Sequence, residues 1–186
     1  MNGHLFPAIV RDHLQKVLSG QEGLSPSQLE ANDSSLATPG ATFVTLTKRG
    51  QLRGCIGSLQ AYRPLSVDIL QNALAAALRD SRFSPVTAGE LADIAIEVSL
   101  LSKPEPFPYE NADDLLQRLK PGVHGVILNF QGNRATFLPQ VWQQLRDPVT
   151  FLSHLCRKAG AMGDCWQRGA KIEVYTVQEF HEGGHG

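Results

Sequence analysis

Leu52-Arg53-Gly54-Cys55-Ile56-Gly57-Ser58 is the second arm of a predicted β-hairpin. The first arm, residues 42–47 (Thr-Phe-Val-Thr-Leu-Thr), is rich in β-branched side chains, which favour strands. Residues 48–51 (Lys-Arg-Gly-Gln) form the turn between them, because Gly50 can adopt the positive φ that a tight hairpin turn needs. The sequence therefore predicts an antiparallel pair of strands at this point.

The second arm carries a thiol between two glycines. Side chains alternate along a strand, so Arg53 and Cys55 are predicted to face the same way. A nearby guanidinium favours the thiolate and lowers the thiol pKa. Glycine inside a strand marks a bulge or a place where a ligand or another backbone comes close. Cys55 is therefore a candidate reactive or ligand-binding cysteine, and the alternative is a small buried hydrophobic residue.

The composition is that of an ordinary globular chain. It has 186 residues, 42% hydrophobic and 19% charged, which indicates one domain, or one domain with a small insertion. The net charge of −1 argues against overall electrostatic attraction to nucleic acid or to an anionic membrane. The first residues lack a signal-peptide pattern, and no stretch reaches the roughly 18 apolar residues of a membrane span, so we expect a cytoplasmic protein. Three cysteines, an odd number, agree with reduced thiols (Cys55, Cys156 and Cys165).

Basic residues surround the thiol in the sequence. Residues 34–67 contain no Asp or Glu, but they include Lys48, Arg49, Arg53 and Arg63. A solvated hairpin rim and an anion-binding face are both consistent with this pattern. Further along, Arg79-Asp80-Ser81-Arg82-Phe83 ends a helix. The simpler interpretation is a charged helix end, but Arg79, Asp80 and Arg82 could also line a cleft.

The rest of the chain shows helical and strand periodicity in turn. A core helix follows Pro64, a central strand covers residues 94–101, a hairpin covers 124–138, and a last strand covers 171–177. We expect residues 180–186 to be loose, with a flexible tail at 182–186.

No ligand spacing predicts a metal or a cofactor. His154, Cys156 and Cys165 do not form a zinc motif, because one helix cannot aim His154 and Cys156 at the same ion. Phosphate-binding loops, a serine nucleophile elbow and the HExxH motif are absent, as are radical-enzyme cysteine clusters. No general base is readable from the spacing, although folding could bring His124 or His154 near Cys55.

Together these motifs resemble the AMMECR domain family over residues 5–181. The most specific signature is Leu52-Arg53-Gly54-Cys55-Ile56-Gly57, supported by residues 79–83, 97–102, 122–126, 135–142 and 158–160. The resemblance implies an α/β (α+β) fold in which an antiparallel β-sheet is flanked by helices. It also implies a smaller subdomain inserted into a larger one that contains both termini. One departure is Ser81, where many relatives carry proline, which affects only local loop rigidity.

The resemblance further implies a modification pathway shared with a Memo-type protein and a radical-SAM enzyme, acting on a protein, an RNA or a small molecule. It maps the suspected functional residues to Arg53, Gly54, Cys55, Ile56 and Gly57. We expect an enzyme or covalent acceptor in which Cys55 reacts as thiolate and Arg53 stabilises negative charge. The alternative is a non-catalytic adaptor that docks through the glycine-rich strand. RNA binding through the basic window is a weaker third possibility.

Overall fold

The computed structural model describes residues 2–183 and divides the chain into two compact units. Unit 1 comprises Met1–Leu101 and Gln178–Gly186, and unit 2 comprises Ser102–Val177, so unit 2 is inserted into unit 1 along the chain. Each unit contains an antiparallel sheet with helices. The predicted fold class is confirmed, with two sheets.

The described residues form five α-helices and eight β-strands. The helices are α1 (Phe6–Leu18), α2 (Pro26–Asn32), α3 (Leu65–Leu78), α4 (Ala112–Arg118) and α5 (Pro148–Lys158). The strands are β1 (Ala41–Lys48), β2 (Gln51–Gly57), β3 (Ile94–Leu101), β4 (Glu105–Pro106), β5 (Gly125–Phe130), β6 (Asn133–Phe137), β7 (Lys171–Tyr175) and β8 (Val177–His181). In the part of the chain that the structure describes, no helix is long and apolar enough to cross a membrane.

Unit 1 has a four-stranded sheet in the order β2-β1-β3-β8. One face packs against α1 and α3 in a core that includes Val10, Leu14, Val44, Leu46, Ile69, Ala73, Ile96, Val98 and Phe180. Because side chains alternate along a strand, the neighbours of these residues point to the opposite face. That face carries Cys55, Thr45 and Glu97 in one row, since Thr45 is the register partner of both Cys55 and Glu97.

The predicted hairpin is confirmed as β1 and β2. Lys48 pairs with Gln51, and the two turn residues Arg49 and Gly50 have φ values of 51° and 77°. Both positive values fit the tight turn that matches strand twist. A register shift follows in β2, where Leu46 pairs with Gly54 but Thr47 pairs with Leu52, leaving Arg53 without a partner. Arg53 is thus the extra residue of a β-bulge.

Unit 2 has a four-stranded sheet in the order β4-β7-β5-β6, packed with α4 and α5 around Leu128, Trp142, Phe151, Leu155 and Trp166. A disulfide joins Cys156 on α5 to Cys165, and both residues are fully buried. The expectation of three reduced thiols is therefore wrong. The chain turns back after α5 at Gly160, where φ is 76°, and this brings the two cysteines to a Cα separation of 5.8 Å.

The expected loose tail is wrong at its start, because β8 extends to His181. Phe180 is buried and its ring packs edge-on against Phe6 with centroids 5.3 Å apart. Glu182 accepts hydrogen bonds from Arg11 and from the backbone N–H of Ile96. Residues 184–186 of the predicted tail lie outside the described residues.

Candidate functional site

The backbone of Cys55 is held on the outer edge of the sheet. β2 is an edge strand, so its outward N–H and C=O groups have no strand partner. Asp80 Oδ2 accepts the N–H of Cys55 at 3.0 Å, and Arg82 Nη2 donates to the carbonyl of Cys55 at 3.3 Å. Asp80 and Arg82 are themselves paired at 2.7 Å. We call this pair the Asp80–Arg82 clamp.

The clamp residues follow directly after α3, which ends at Leu78. Because α3 packs against β2, the end of the helix brings Asp80 and Arg82 close to Cys55. Asp80 is buried, and Arg82 holds its pKa far below the ordinary value by donating hydrogen bonds to it. The same contact raises the pKa of Arg82, so both groups are charged at neutral pH. Arg79, which could have lined a cleft with Asp80 and Arg82, is exposed and makes no side-chain hydrogen bond within residues 2–183.

The Cys55 thiol is half-buried beside Thr45, whose Oγ1 lies 3.3 Å from Sγ. Burial raises the pKa of this thiol above its ordinary value. The hydrogen bond between Thr45 and Cys55 and the charge of Arg82 oppose that shift, whereas the charges of Asp80 and Glu97 add to it. The prediction of a lowered thiol pKa is therefore wrong, and the resting form at neutral pH is the thiol.

Arg53 does not act on the thiol. Its guanidinium donates to Glu90 Oε1 at 2.7 Å and Oε2 at 3.2 Å, and to the carbonyl of Ser84 at 2.8 Å. Arg53 and Lys48 together lower the pKa of Glu90 to about 2. The predicted pairing of Arg53 with Cys55 assumed unbroken alternation, and the bulge at Arg53 interrupts it. Arg82, and not Arg53, is the arginine whose charge favours the Cys55 thiolate.

The glycines beside Cys55 make room for the chain itself. A Cβ on Gly54 would lie 2.1 Å from the carbonyl oxygen of Ala76 on α3. A Cβ on Gly57 would lie 2.2 Å from the ring of Phe43. Ile56 packs against the core of unit 1. The two glycines thus let β2 pack closely against its neighbours. At Gly54 the neighbour is the backbone of α3, and at Gly57 it is the side chain of Phe43.

The basic window around the hairpin is largely neutralised. Lys48 and Arg53 both bind Glu90, and Arg63 binds Asp68 at 2.7 Å. Arg49 is exposed at the hairpin turn. The anion-binding interpretation treated these residues as free charges, because their acidic partners lie outside the 34–67 window. Paired basic residues attract a polyanion less strongly than isolated ones.

The sequence is similar to a known protein family and to individual relatives in it. A family model described as AMMECR1 matches residues 7–180. The chain belongs to the AMMECR1 family. It is 35% identical to a protein of Thermofilum pendens, over 95% of this chain and 86% of the relative. It is 35% identical to a protein of Methanosarcina barkeri, over 98% of this chain and 91% of the relative.

A solved structure supports the same fold. The crystal structure of an uncharacterized protein from Pyrococcus horikoshii has a TM-score of 0.83 and 28% sequence identity. The match covers 97% of this chain and 91% of that one. The AMMECR1 fold therefore extends over nearly the whole chain, and the predicted family membership is confirmed.

Three residues on the face of the sheet that carries Cys55 were not predicted from the sequence. Glu97 on β3 follows Thr45 in the row that begins at Cys55. Burial raises the pKa of Glu97, and the nearby charge of Glu179 raises it further. His181 lies next to both carboxylates. Alternation within β3 and β8 could have placed these side chains on one face, but no local signal pairs two strands so far apart in sequence.

The two histidines considered as general bases belong to unit 2. His124 Nδ1 accepts the backbone N–H of Lys120 at 3.1 Å, and burial lowers the pKa of His124. His154 is exposed on α5. Cys156 and Cys165 are bonded to each other, so neither sulfur is available as a metal ligand.

Proposed function

We propose that this AMMECR1-family protein is an enzyme or a covalent acceptor in a modification pathway, with Cys55 as the reacting sulfur. Its partners in the proposal are a Memo-type protein and a radical-SAM enzyme. Arg82 replaces Arg53 as the group that stabilises negative charge near the sulfur. The proposed site residues are Cys55, Thr45, Asp80 and Arg82.

The observation that carries the proposal is the fixation of Cys55 by the Asp80–Arg82 clamp. A buried carboxylate and a guanidinium bind the two free hydrogen-bonding groups of a single residue. A rigid backbone holds a side chain in one reacting geometry, which lowers the entropic cost of reaction. The Arg82 side chain remains 55% exposed, so it can contact a substrate as well as Cys55.

The raised thiol pKa determines what kind of chemistry suits the site. A protonated sulfur reacts slowly with stray electrophiles, because the thiolate is the nucleophile. When Cys55 attacks a bound electrophilic carbon, a C–S bond forms, the bond between that carbon and the leaving group breaks, and the leaving group takes the electron pair and the thiol proton. The charge of Arg82 favours the thiolate as it develops. Reaction would then depend on substrate binding.

The two alternatives have less support. An adaptor that docks a partner through the glycines would need open space there, but α3 fills the space at Gly54 and Phe43 fills it at Gly57. RNA binding through the basic window would need free positive charge. Lys48, Arg53 and Arg63 are each bound to a carboxylate. Neither alternative uses the clamp.

Genetic complementation tests the proposal. In a strain that lacks this gene, a plasmid copy of the wild-type gene should rescue the deletion phenotype. We expect Cys55→Ala and Cys55→Ser to abolish this rescue, because each removes the reacting sulfur. Arg82→Ala should reduce rescue at least tenfold. Arg79→Ala is the matched control, since Arg79 is an exposed arginine three residues away, and it should rescue fully.

Expression level and circular dichroism of each variant establish that it folds. Full rescue by Cys55→Ala would refute the proposal. Full rescue by Cys55→Ala together with loss of rescue by Arg82→Ala would instead favour docking at this edge of the sheet.

A further inference from the structure

A second set of chemically active side chains lies on the same face of the unit 1 sheet. Glu97 on β3 and Glu179 and His181 on β8 each direct a potential ligand atom to one place, and these atoms lie within 4.8 Å of one another. The imidazole of His181 lies between the carboxylates. Its Nδ1 is 3.4 Å from Glu97 Oε2, and its Nε2 is 3.7 Å from Glu179 Oε2.

The carboxylates of this cluster differ from four other carboxylates of unit 1, which are each paired with an arginine. Asp68, Asp80, Glu90 and Glu182 are each bound by an arginine. Within residues 2–183, neither Glu97 nor Glu179 forms an ion pair with a lysine or arginine. Glu97 is also shielded, with its side chain only 28% exposed. Two adjacent carboxylates that share one imidazole, rather than being paired with a lysine or arginine, favour binding of a cation.

We propose that Glu97, Glu179 and His181 bind a divalent transition-metal ion. Two carboxylates and one imidazole suit manganese, iron, cobalt or zinc, because the imidazole disfavours magnesium and calcium. Ligand atoms about 2.1 Å from one ion lie at most about 4.2 Å apart. From a spacing of 4.8 Å the side chains must close by at least about half an ångström, and Glu179 and His181 are half-exposed and free to move.

Three protein ligands leave coordination positions for water or substrate. Three protein ligands are typical of metal ions that take part in chemistry, since purely structural zinc sites use four protein ligands. The metal site stands independently of the proposed reaction at Cys55. Thr45 separates Cys55 from Glu97 across the sheet, and the metal ligands come from β3 and β8.

Cobalt titration of the metal-free protein tests the proposal. The titration is carried out with Cys55→Ala, so that the one free cysteine among the described residues cannot bind the ion. We expect one cobalt ion per chain, with visible absorption bands that indicate nitrogen and oxygen ligands. Glu97→Gln, Glu179→Gln and His181→Asn in this background should each weaken binding at least tenfold.

His154→Asn and Glu173→Gln are the matched controls, because they remove an exposed histidine and an exposed carboxylate elsewhere in the chain. They should leave the affinity unchanged. The proposal is overturned if millimolar cobalt, manganese and zinc all fail to bind, or if binding survives in the triple variant. It is also overturned if wild type binds and Cys55→Ala does not. That last result would leave the role of Cys55 intact.

Discussion

Replacing Asp68 by alanine is expected to destabilise unit 1 by roughly 3–5 kcal/mol, the cost of leaving buried polar and charged partners unpaired. The Asp68 carboxylate on α3 is fully buried. It accepts five hydrogen bonds: two from Thr42, and one each from Ser58, Arg63 and Asn72. These contacts fasten the ends of β1 and β2 to α3. Without the carboxylate, the guanidinium of Arg63 would face a polar pocket with no negative charge.

Hydrogen exchange on peptides from residues 42–58 measures this effect. Both tryptophans lie in unit 2, so tryptophan fluorescence does not report directly on unit 1. The protection of these peptides should fall by roughly 10²- to 4 × 10³-fold, as the energy above implies. Asp12→Ala is the control, because Asp12 is an exposed carboxylate on α1, and it should change stability by no more than about 0.5 kcal/mol. A loss below 1 kcal/mol for Asp68→Ala would contradict the role of the network.

Replacing Gly54 by alanine should cost about 3 kcal/mol, at the upper end of what overpacking causes. The new methyl group would lie 2.1 Å from the carbonyl oxygen of Ala76. A backbone oxygen cannot rotate away as a side chain can, so α3 or β2 must move. Because β2 carries Cys55, the movement should also accelerate alkylation of the thiol.

Gly89→Ala is the matched control for this substitution. A Cβ on Gly89 would have no atom within 4 Å, and this glycine has no positive φ. Urea unfolding followed by circular dichroism compares the two variants with wild type. Equal stability of Gly54→Ala and Gly89→Ala would show that α3 does not restrict β2.

The parts of the fold that depend on local chemistry were predictable from the sequence. The hairpin follows from a first arm rich in β-branched residues and a turn that contains glycine, and β1 and β2 lie where this pattern predicts. The signature also located the strand that carries Cys55. Its glycines indicated a bulge or a close backbone approach, and both occur, at Arg53 and at Gly54.

The charged partners of Arg53 and Cys55 could not be predicted from the local sequence. One extra residue in β2 redirects Arg53 to Glu90, and although the glycines indicated a bulge, they did not show that Arg53 would be its extra residue. The clamp joins residues 25 to 27 positions apart in sequence, so its contacts depend on how α3 packs. The metal ligands Glu97 and His181 are separated by the whole of unit 2. The disulfide likewise requires a turn in the chain after α5 to bring its cysteines together.

The alkylation rate of Cys55 against pH tests the central claim most directly, namely that burial and Arg82 set the state of this thiol. We expect a midpoint above the usual thiol pKa of about 8.5, because burial raises the pKa. Arg82→Ala should raise the midpoint further, since it removes a favourable charge and leaves Asp80 unpaired. Arg53→Ala should leave the midpoint unchanged. A midpoint below 8.5, or a shift with Arg53→Ala but not with Arg82→Ala, would contradict the account.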